Sequence, residues 1–425
     1  MAAHPNIPRP SLKDQLFIFV RIARGQILAS PRRSLLTLLL IMVTTALLIF
    51  FLSMMNGSHN KLKSDSVEVY TGYLRVQGKG FQKRKNPENW IYSSAAVLEK
   101  VRDHYPQERF TRRLESFALF SSDHESQGAM LIGIEPGKEA QFSRVFKNLV
   151  EGEMLTPSSG SQVLIGSQFS KKLKAKIGDT IAFVGASLDS SIAAELVTVR
   201  GIFRTGFREI DSNMIFTSLG FLQQALLADD VISHLIINPV DTSNIELRAL
   251  QARTILRDLP VEVIPWTEEL SHLIQTLDFD RVSGYFSLSI LLIIIFFVLL
   301  IYAQLSILTR TREIGVLRAL GTSPFQILSI LGLETAFLGV LGGVAGVLIG
   351  GSIALYFQVY PMQFPSFEEA IAQYGFADAS LPTLFEGKIL IQGFLTVFAM
   401  HLCSAVHPML KVTFLRPVEA LNTYA

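Results

Sequence analysis

YFSLSILLIIIFFVLLIYAQLSIL, residues 285–308, carries no charged side chain, and TRTREIGVLRALGTSPFQI, residues 309–327, follows at once. A bilayer's hydrocarbon core is about 30 Å thick and takes roughly 20 apolar residues of helix to cross. Residues 285–308 therefore read as a membrane span. Backbone in lipid must satisfy its own hydrogen bonds, so the span is a helix. Three further stretches meet the same criterion: 35–55 without a charge, 327–357 with one acid, Glu334, and 389–410. One span, a long interval and then three spans make up the chain.

Composition agrees. Of 425 residues, 49% are hydrophobic and 17% charged, against about 25% charged in ordinary soluble domains. This excludes a disordered or collagen-like chain. A net charge of +2 excludes nucleic-acid binding through bulk charge. The single cysteine, Cys403, excludes an intrachain disulfide framework and a cysteine-built zinc site.

The segments expected are a leader, 1–34; a first span, 35–55; a large domain, 56–284; a second span, 285–308; a loop, 309–326; a third span, 327–357; a short loop, 358–388; a fourth span, 389–410; and a tail, 411–425. The first span begins too late and runs too long for a cleaved signal peptide, and no small-residue cleavage pattern precedes Asn56-Gly57-Ser58. It reads as a retained anchor. Arg9, Lys13, Arg21, Arg24, Arg32 and Arg33 crowd the leader, Arg310, Arg312 and Arg318 the loop, and Lys411 and Arg416 the tail. The loop 358–388 has acids, Glu368, Glu369, Asp378 and Glu386, and its only Lys or Arg is Lys388, beside the fourth span. Positive residues stay in the cytoplasm, which sets both termini inside and 56–284 outside. In the leader, Leu16, Phe17, Phe19, Val20, Ile22, Ala23 and Ile27 alternate with polar residues, the pattern of a helix lying in the interface.

Within 56–284, short alternating runs predict strands at 73–76, 129–134, 162–165, 180–184, 196–203, 214–216 and 234–237. Helical spacing falls at 95–104, 168–175, 219–227 and 244–259. This is an α+β domain. Residues 267–281 also have helical spacing and either continue the second span as a stalk or pack on the domain.

A search for chemistry is negative. No GxxxxGK[ST] loop, HExxH, GxSxG or CxxC occurs. Asp123-His124-Glu125 are adjacent and converge poorly on one ion, so a solvated turn is the expectation. Lys171, Lys172, Lys174 and Lys176 read as a solvated basic face, with an acidic partner as the alternative. His401 and His407, six apart, read as packing rather than a proton relay. No catalytic residue and no metal site is expected.

Gly339 and Gly343, and Gly342, Gly346 and Gly350, recur every four residues of the third span. Such spacing lets helix backbones approach closely, within one subunit or across a dimer. Glu334 is costly in lipid and is expected to pair with an arginine. In 309–327, Ile314, Leu317 and Leu320 recur every third residue, and Gly321 and Pro324 end the pattern. This is a short amphipathic helix at the cytoplasmic surface.

REIGVLRALGTSPFQI resembles the cytoplasmic loop of the MacB/FtsX-type ABC permeases, which include the lipoprotein-releasing permeases LolC and LolE. SPRRSLLTL (30–38), VLIG (163–166), AKIGDT (175–180), VRGIF (199–203), Glu334 with its glycine ladder, and LRPVEAL (415–421) are similar to further family motifs. The resemblance implies an α-helical membrane protein with four transmembrane helices, one plus three, and a large α+β extracytoplasmic domain between the first and second. It implies no ATP-binding motif of its own, so the chain is a non-catalytic subunit. ATP and Mg belong to a partner ATPase present in two copies, and a second permease copy or paralogue completes the complex. Arg312, Glu313, Ile314, Gly315, Leu317, Arg318, Leu320 and Gly321 then form the coupling helix, and its motion is passed outward by mechanotransmission.

Lipoprotein release from the outer leaflet of a bacterial inner membrane is the leading expectation. The first two spans would line the substrate's route, with Val43, Leu47, Phe50, Met54, Met55, Phe286 and Leu291 as apolar contacts. For each of these, lipid-facing filler is the plain alternative. Residues 185–196, where relatives carry an extended hairpin for a periplasmic carrier, are short and lack proline, which counts against direct carrier capture. The alternatives are a MacB-like exporter of peptides or small toxic molecules and an FtsX-like activator of a cell-wall hydrolase.

Overall fold

The computed structural model describes residues 21, 25, 29–82, 86–139, 143–242, 244–364, 366 and 380–413. The interfacial leader pattern at 16–27 and the tail motif at 415–421 lie outside this description, apart from the isolated positions 21 and 25. Two compact units form. One draws on Met1–His59, Asp278–Met362 and Leu381–Ala425, the other on Asn60–Leu277 and Gln363–Ser380.

In chain order, helix α1 is Pro31–Ser66, continued by a π-helical turn, Val67–Thr71. The second unit then contributes β1 Leu74–Gly78, α2 Ser94–His104, β2 Arg109–Ser121, β3 Ser126–Ile134, β4 Leu149–Gly152, β5 Gln162–Gly166 and α3 Ser167–Leu173. It continues with β6 Thr180–Ala186, β7 Ile192–Phe203, β8 Met214–Ser218, α4 Leu219–Ala225, β9 His234–Asn238, α5 Ile245–Ile255 and β10 Val261–Pro265. The chain ends with α6 Ser271–Leu308, α7 Thr311–Ala319, α8 Pro324–Val359 and α9 Gly387–Thr413.

Among the described residues, four helices, α1, α6, α8 and α9, are long and apolar enough to cross a membrane. All four outrun the apolar stretches by which sequence bounds a span, α1 and α6 by the most. Helix α1 passes Met55 and α6 begins at Ser271, because side-chain polarity marks where lipid ends and not where the backbone hydrogen bonds stop. Of the 267–281 stretch, residues 271–281 are the start of α6, continuous with the second span, while 267–269 belong to a separate short helix, Trp266–Glu269. "α-Helical" fits the first unit alone, since the second is built on a ten-stranded sheet in the order β10-β1-β9-β2-β3-β8-β5-β7-β4, with β6 bridging β2 and β7.

Those pairings make a ring. β2 pairs β3, β3 pairs β8, β8 pairs β5, β5 pairs β7, β7 pairs β6, and β6 returns to β2. β2 serves the ring with its C-terminal half, Ala118–Ser121 opposite Gly185–Ala182, and reaches β9 with Arg109–Arg113. A side chain on every second residue points to one face. Ala118, Phe120, Ile181, Phe183, Val197 and Val199 face inward and are buried, with the Phe120 and Phe183 rings 6.1 Å apart.

In the helical unit the glycines of α8 settle the packing. A Cβ added to Gly342, Gly346 or Gly350 would meet Ile41, Thr45 or Ala46 of α1 within 3 Å. Gly339 and Gly343 face Phe398 and Phe394 of α9 in the same way. All five are thus used inside one chain, on two faces of α8. Gly393 of α9 in turn lies against Ile49 of α1, where a Cβ would be 2.5 Å from Ile49 Cγ1.

Candidate functional site

Helix α7 is a short rod between α6 and α8. Thr311 Oγ1 donates to the Leu308 carbonyl at 2.8 Å, which bends the chain out of α6. At the other end Gly321 takes φ +94, a left-handed conformation that glycine adopts without steric cost. Its N–H reaches Arg318 O and the Thr322 N–H reaches Leu317 O, closing the end of α7. Ser323 and Gln326 then exchange capping hydrogen bonds, with Pro324 in the first turn, and α8 begins.

One side of α7 is fixed. Thr311, Ile314 and Gly315 are buried, and Ile314 sits in a cluster with Ala303, Ile307, Ile327, Leu331 and Met409. This corrects the expectation that Ile314 is offered to a partner: its side chain is spent on the bundle. Leu317 and Arg318 are half-buried, and Arg312, Glu313 and Gly321 are exposed. The outward apolar side chains are Leu320, 79% exposed, Phe325, 76%, and Val316. Every-third-residue spacing passed over Val316 and Phe325, since it selects one stripe of a helix and stops at the glycine.

Glu334 lies 6% exposed on α8 and is paired twice. Arg33 Nη2 donates to Oε1 at 3.0 Å and Arg310 Nη1 donates to Oε2 at 2.6 Å. Arg310 also reaches Glu313 through Nε at 3.3 Å. The Tyr302 hydroxyl of α6 donates to the Arg33 carbonyl at 3.1 Å. The acid was legible in the sequence; its partners, 301 and 24 residues away, were not.

The seven proposed substrate contacts scatter. Val43, Leu47 and Phe50 of α1 meet in a groove of about 360 Å³, completed by Met42, Ala46, Ile349 and Ile353. Its second wall is α8, not the second span as expected. Phe286 and Leu291 are exposed on α6 away from the groove, Met54 is half-buried, and Met55 is buried. Met55 packs against Gly284, where a Cβ would come within 2.8 Å of its sulfur, so it is core and not lining.

In the sheet unit, β6 and β7 form a hairpin. Val184 opposes Leu119, Ala182 opposes Leu196, and Ala186 opposes Ile192. Phe117, Leu119, Val184, Ile192 and Leu196 are all exposed. Paired residues share a face, so these five form one apolar surface on the outside of the ring. Phe117 lies over Gly128, whose Cβ would be 2.7 Å from its ring. Beside the hairpin, Glu125 of the 123–125 trio is ion-paired to Lys174 at 3.0 Å, which answers part of the basic run.

The domain core holds a polar network that sequence gave no sign of. Arg113 is bound to Glu139 and to the Tyr70 carbonyl, with its guanidinium 4.4 Å over the Tyr70 ring. Burial pulls the Arg113 guanidinium down, and Glu139 beside it more than offsets this, leaving it above its ordinary value. Ser233 Oγ lies 2.9 Å from His234 Nδ1, and His234 Nε2 lies 3.5 Å from Glu115. That order resembles a nucleophile array, but all three are buried and the hydroxyl is committed to the Arg113 carbonyl at 3.0 Å. The network holds the π-turn to the sheet.

The family model for the MacB-like periplasmic core domain matches residues 34–253, more than half of the chain, and that for the FtsX-like permease C-terminal matches 285–417. The chain is an ABC transporter permease of the MacB/FtsX type. The lipoprotein-releasing system transmembrane protein LolC of Xylella fastidiosa (strain 9a5c) is 23% identical to the permease over 319 residues, 73% of this chain and 76% of that protein. The macrolide export ATP-binding/permease protein MacB of Aggregatibacter actinomycetemcomitans is 23% identical over 355 residues, 79% of this chain and 53% of that protein. Among solved structures, the periplasmic region of MacB from Actinobacillus actinomycetemcomitans covers 49% of the permease and 94% of its own chain, at TM-score 0.36 and 15% identity.

Proposed function

We propose that this permease extracts acylated proteins from the outer leaflet of a bacterial inner membrane, driven by a separate cytoplasmic ATPase. Two ATPase copies, which hold ATP and Mg, would serve one complex with a second permease copy or paralogue. The positive residues of the leader, the 309–326 loop and the tail support cytoplasmic termini and a periplasmic domain. Leu320, Phe325 and Val316 would dock on the ATPase, with Arg312, Glu313 and Arg318 as polar contacts at the rim.

The observation that carries lipoprotein release over the alternatives is the groove at Val43, Leu47 and Phe50. Its lining is apolar throughout and its volume, about 360 Å³, falls in the usual ligand-pocket range of about 300–1,000 Å³. An acyl chain needs such a surface, as a small apolar toxic molecule would; a polar peptide or a signal passed to a hydrolase does not. The outer face of the β6–β7 hairpin is the place where a periplasmic carrier would meet the domain.

The test is reconstitution of the permease with a co-expressed ATPase in liposomes holding an acylated protein. Release on ATP addition supports the proposal. Export of a soluble peptide or a small toxic molecule, or stimulation of a cell-wall hydrolase, without release of the acylated protein, replaces it with one of the two alternatives.

A further inference from the structure

We propose that Glu334 is a positioning residue that binds α7 to the base of α1, so that a displacement of α7 moves α1 with it. The proposal rests on the coupling reading of α7, and its first test does not need the ATPase.

Three elements converge on one carboxylate. Arg33 stands in the first turn of α1, Arg310 precedes α7, and Glu334 is on α8. Each carboxylate oxygen takes one guanidinium, at 3.0 and 2.6 Å. Arg310 also holds Glu313 of α7, and the Arg33 carbonyl is held by Tyr302 of α6. A change at α7 thus reaches α1 through two charge-assisted contacts, without crossing the apolar packing.

The charge count argues for a bridge. Neutralising Glu334 needs one arginine, yet two are bound to it, and Glu313 on Arg310 balances the second, so the set closes as two acids on two guanidiniums. Arg310 and Glu334 are each 6% exposed. Parting a buried charge from its partner is strongly disfavoured, so partial separation of α7 from α8 costs more than moving the set together. A cavity of about 40 Å³ adjoins the carboxylate, lined by Tyr302, Thr335 and His401 among others.

The experiment is amide hydrogen exchange on the full chain in lipid nanodiscs, following residues 311–319 and the first turns of α1. Arg33→Gln removes α1's hold on the carboxylate and leaves the Arg310–Glu334 contact in place. If Glu334 links the helices, exchange in 311–319 rises about tenfold in this variant, as it does in Glu334→Gln. The double variant is no worse than either single one, since both remove the same link. Glu334→Asp, which keeps the charge, recovers part of the protection. Unchanged exchange in 311–319 in Arg33→Gln overturns the proposal, and that variant serves even if Glu334→Gln does not fold. With the ATPase present, Glu334→Gln should retain nucleotide hydrolysis while release falls about tenfold, a split that general destabilisation does not produce. Hydrolysis and release both unchanged would also overturn it. Failure of any ATPase to bind the wild-type chain would refute the coupling reading and leave the exchange result standing.

Discussion

Gly346 of α8 stands against Thr45 of α1 so closely that a Cβ built on it would lie 2.5 Å from Thr45 Cβ and 2.7 Å from the Met42 carbonyl oxygen. Backbone cannot yield as the tip of a side chain can. Gly346→Ala is therefore expected to cost about 1–3 kcal/mol through overpacking, despite alanine's better helix propensity. Gly332, on the same helix with nothing within 4 Å of its Cβ position, is the control: Gly332→Ala should be neutral or slightly stabilising. Thermal unfolding of the two variants in detergent checks the contrast, and equal midpoints would remove the close approach.

At α7 the prediction separates two apolar residues that spacing alone treats alike. Leu320 is largely exposed and Ile314 is buried in the bundle. Leu320→Asp should leave the fold intact and weaken ATPase binding by at least about tenfold, the behaviour of an exposed interface anchor. Ile314→Asp should lower the amount of folded protein recovered from membranes. Co-purification with the ATPase and size-exclusion profiles report the two outcomes separately.

What the sequence showed and what it hid divide along physical lines. The spans, the end of α7 and the seven forecast strands were legible because each depends on local pattern: charge-free length, Gly321 with Pro324, and alternation. β2 was missed. Arg109, Arg112, Arg113 and Glu115 interrupt its alternation, and those charges are tolerated only because the fold supplies partners such as Glu135 and Glu139. Val43, Leu47 and Phe50 were read as a surface from their position in the first span, but the second wall comes from Ile349 and Ile353, which no local pattern connects to them. The five packing glycines were identified, and only the structure assigns two of them to α9 and three to α1.

The outer face of the hairpin gives a third prediction. Ile192 is 78% exposed at the edge of the apolar surface, so Ile192→Asp should change stability by no more than about 0.5 kcal/mol. The same change places a charge in the proposed carrier contact and should weaken carrier capture by about tenfold. Pull-down of an acylated-protein carrier by the full chain in detergent tests this; undiminished capture would move the docking surface elsewhere.

Arg113 and Glu139 give the opposite case, since both are about 1% exposed. Glu139→Gln strands the guanidinium in the core and should cost about 3–5 kcal/mol. Loss of folded full-length chain, measured by denaturant titration, is the expected result. Replacing both with apolar residues should restore much of it, because the desolvation of two charges is then no longer required.

Glu135 supplies a pH dependence of known sign. Burial alone would raise its carboxyl, but hydrogen bonds from Arg112 and Lys138 outweigh this and hold it below its ordinary value of 4.5. Between the folded and unfolded values the unfolded chain binds more protons, so stability rises with pH across that window. The contribution is complete above about pH 4.5, the unfolded value, and is lost as pH falls through the lower folded one. Unfolding of the full chain followed between neutral pH and pH 3 should therefore show a smaller loss for Glu135→Gln than for the wild type, although the variant starts from lower stability at neutral pH. The side chain is 17% exposed and its Arg112 partner 27%, so the difference should shrink in high salt, as expected for a pair that solvent partly screens. Parallel pH profiles for the two proteins would show that the Arg112 and Lys138 contacts do not hold the carboxylate.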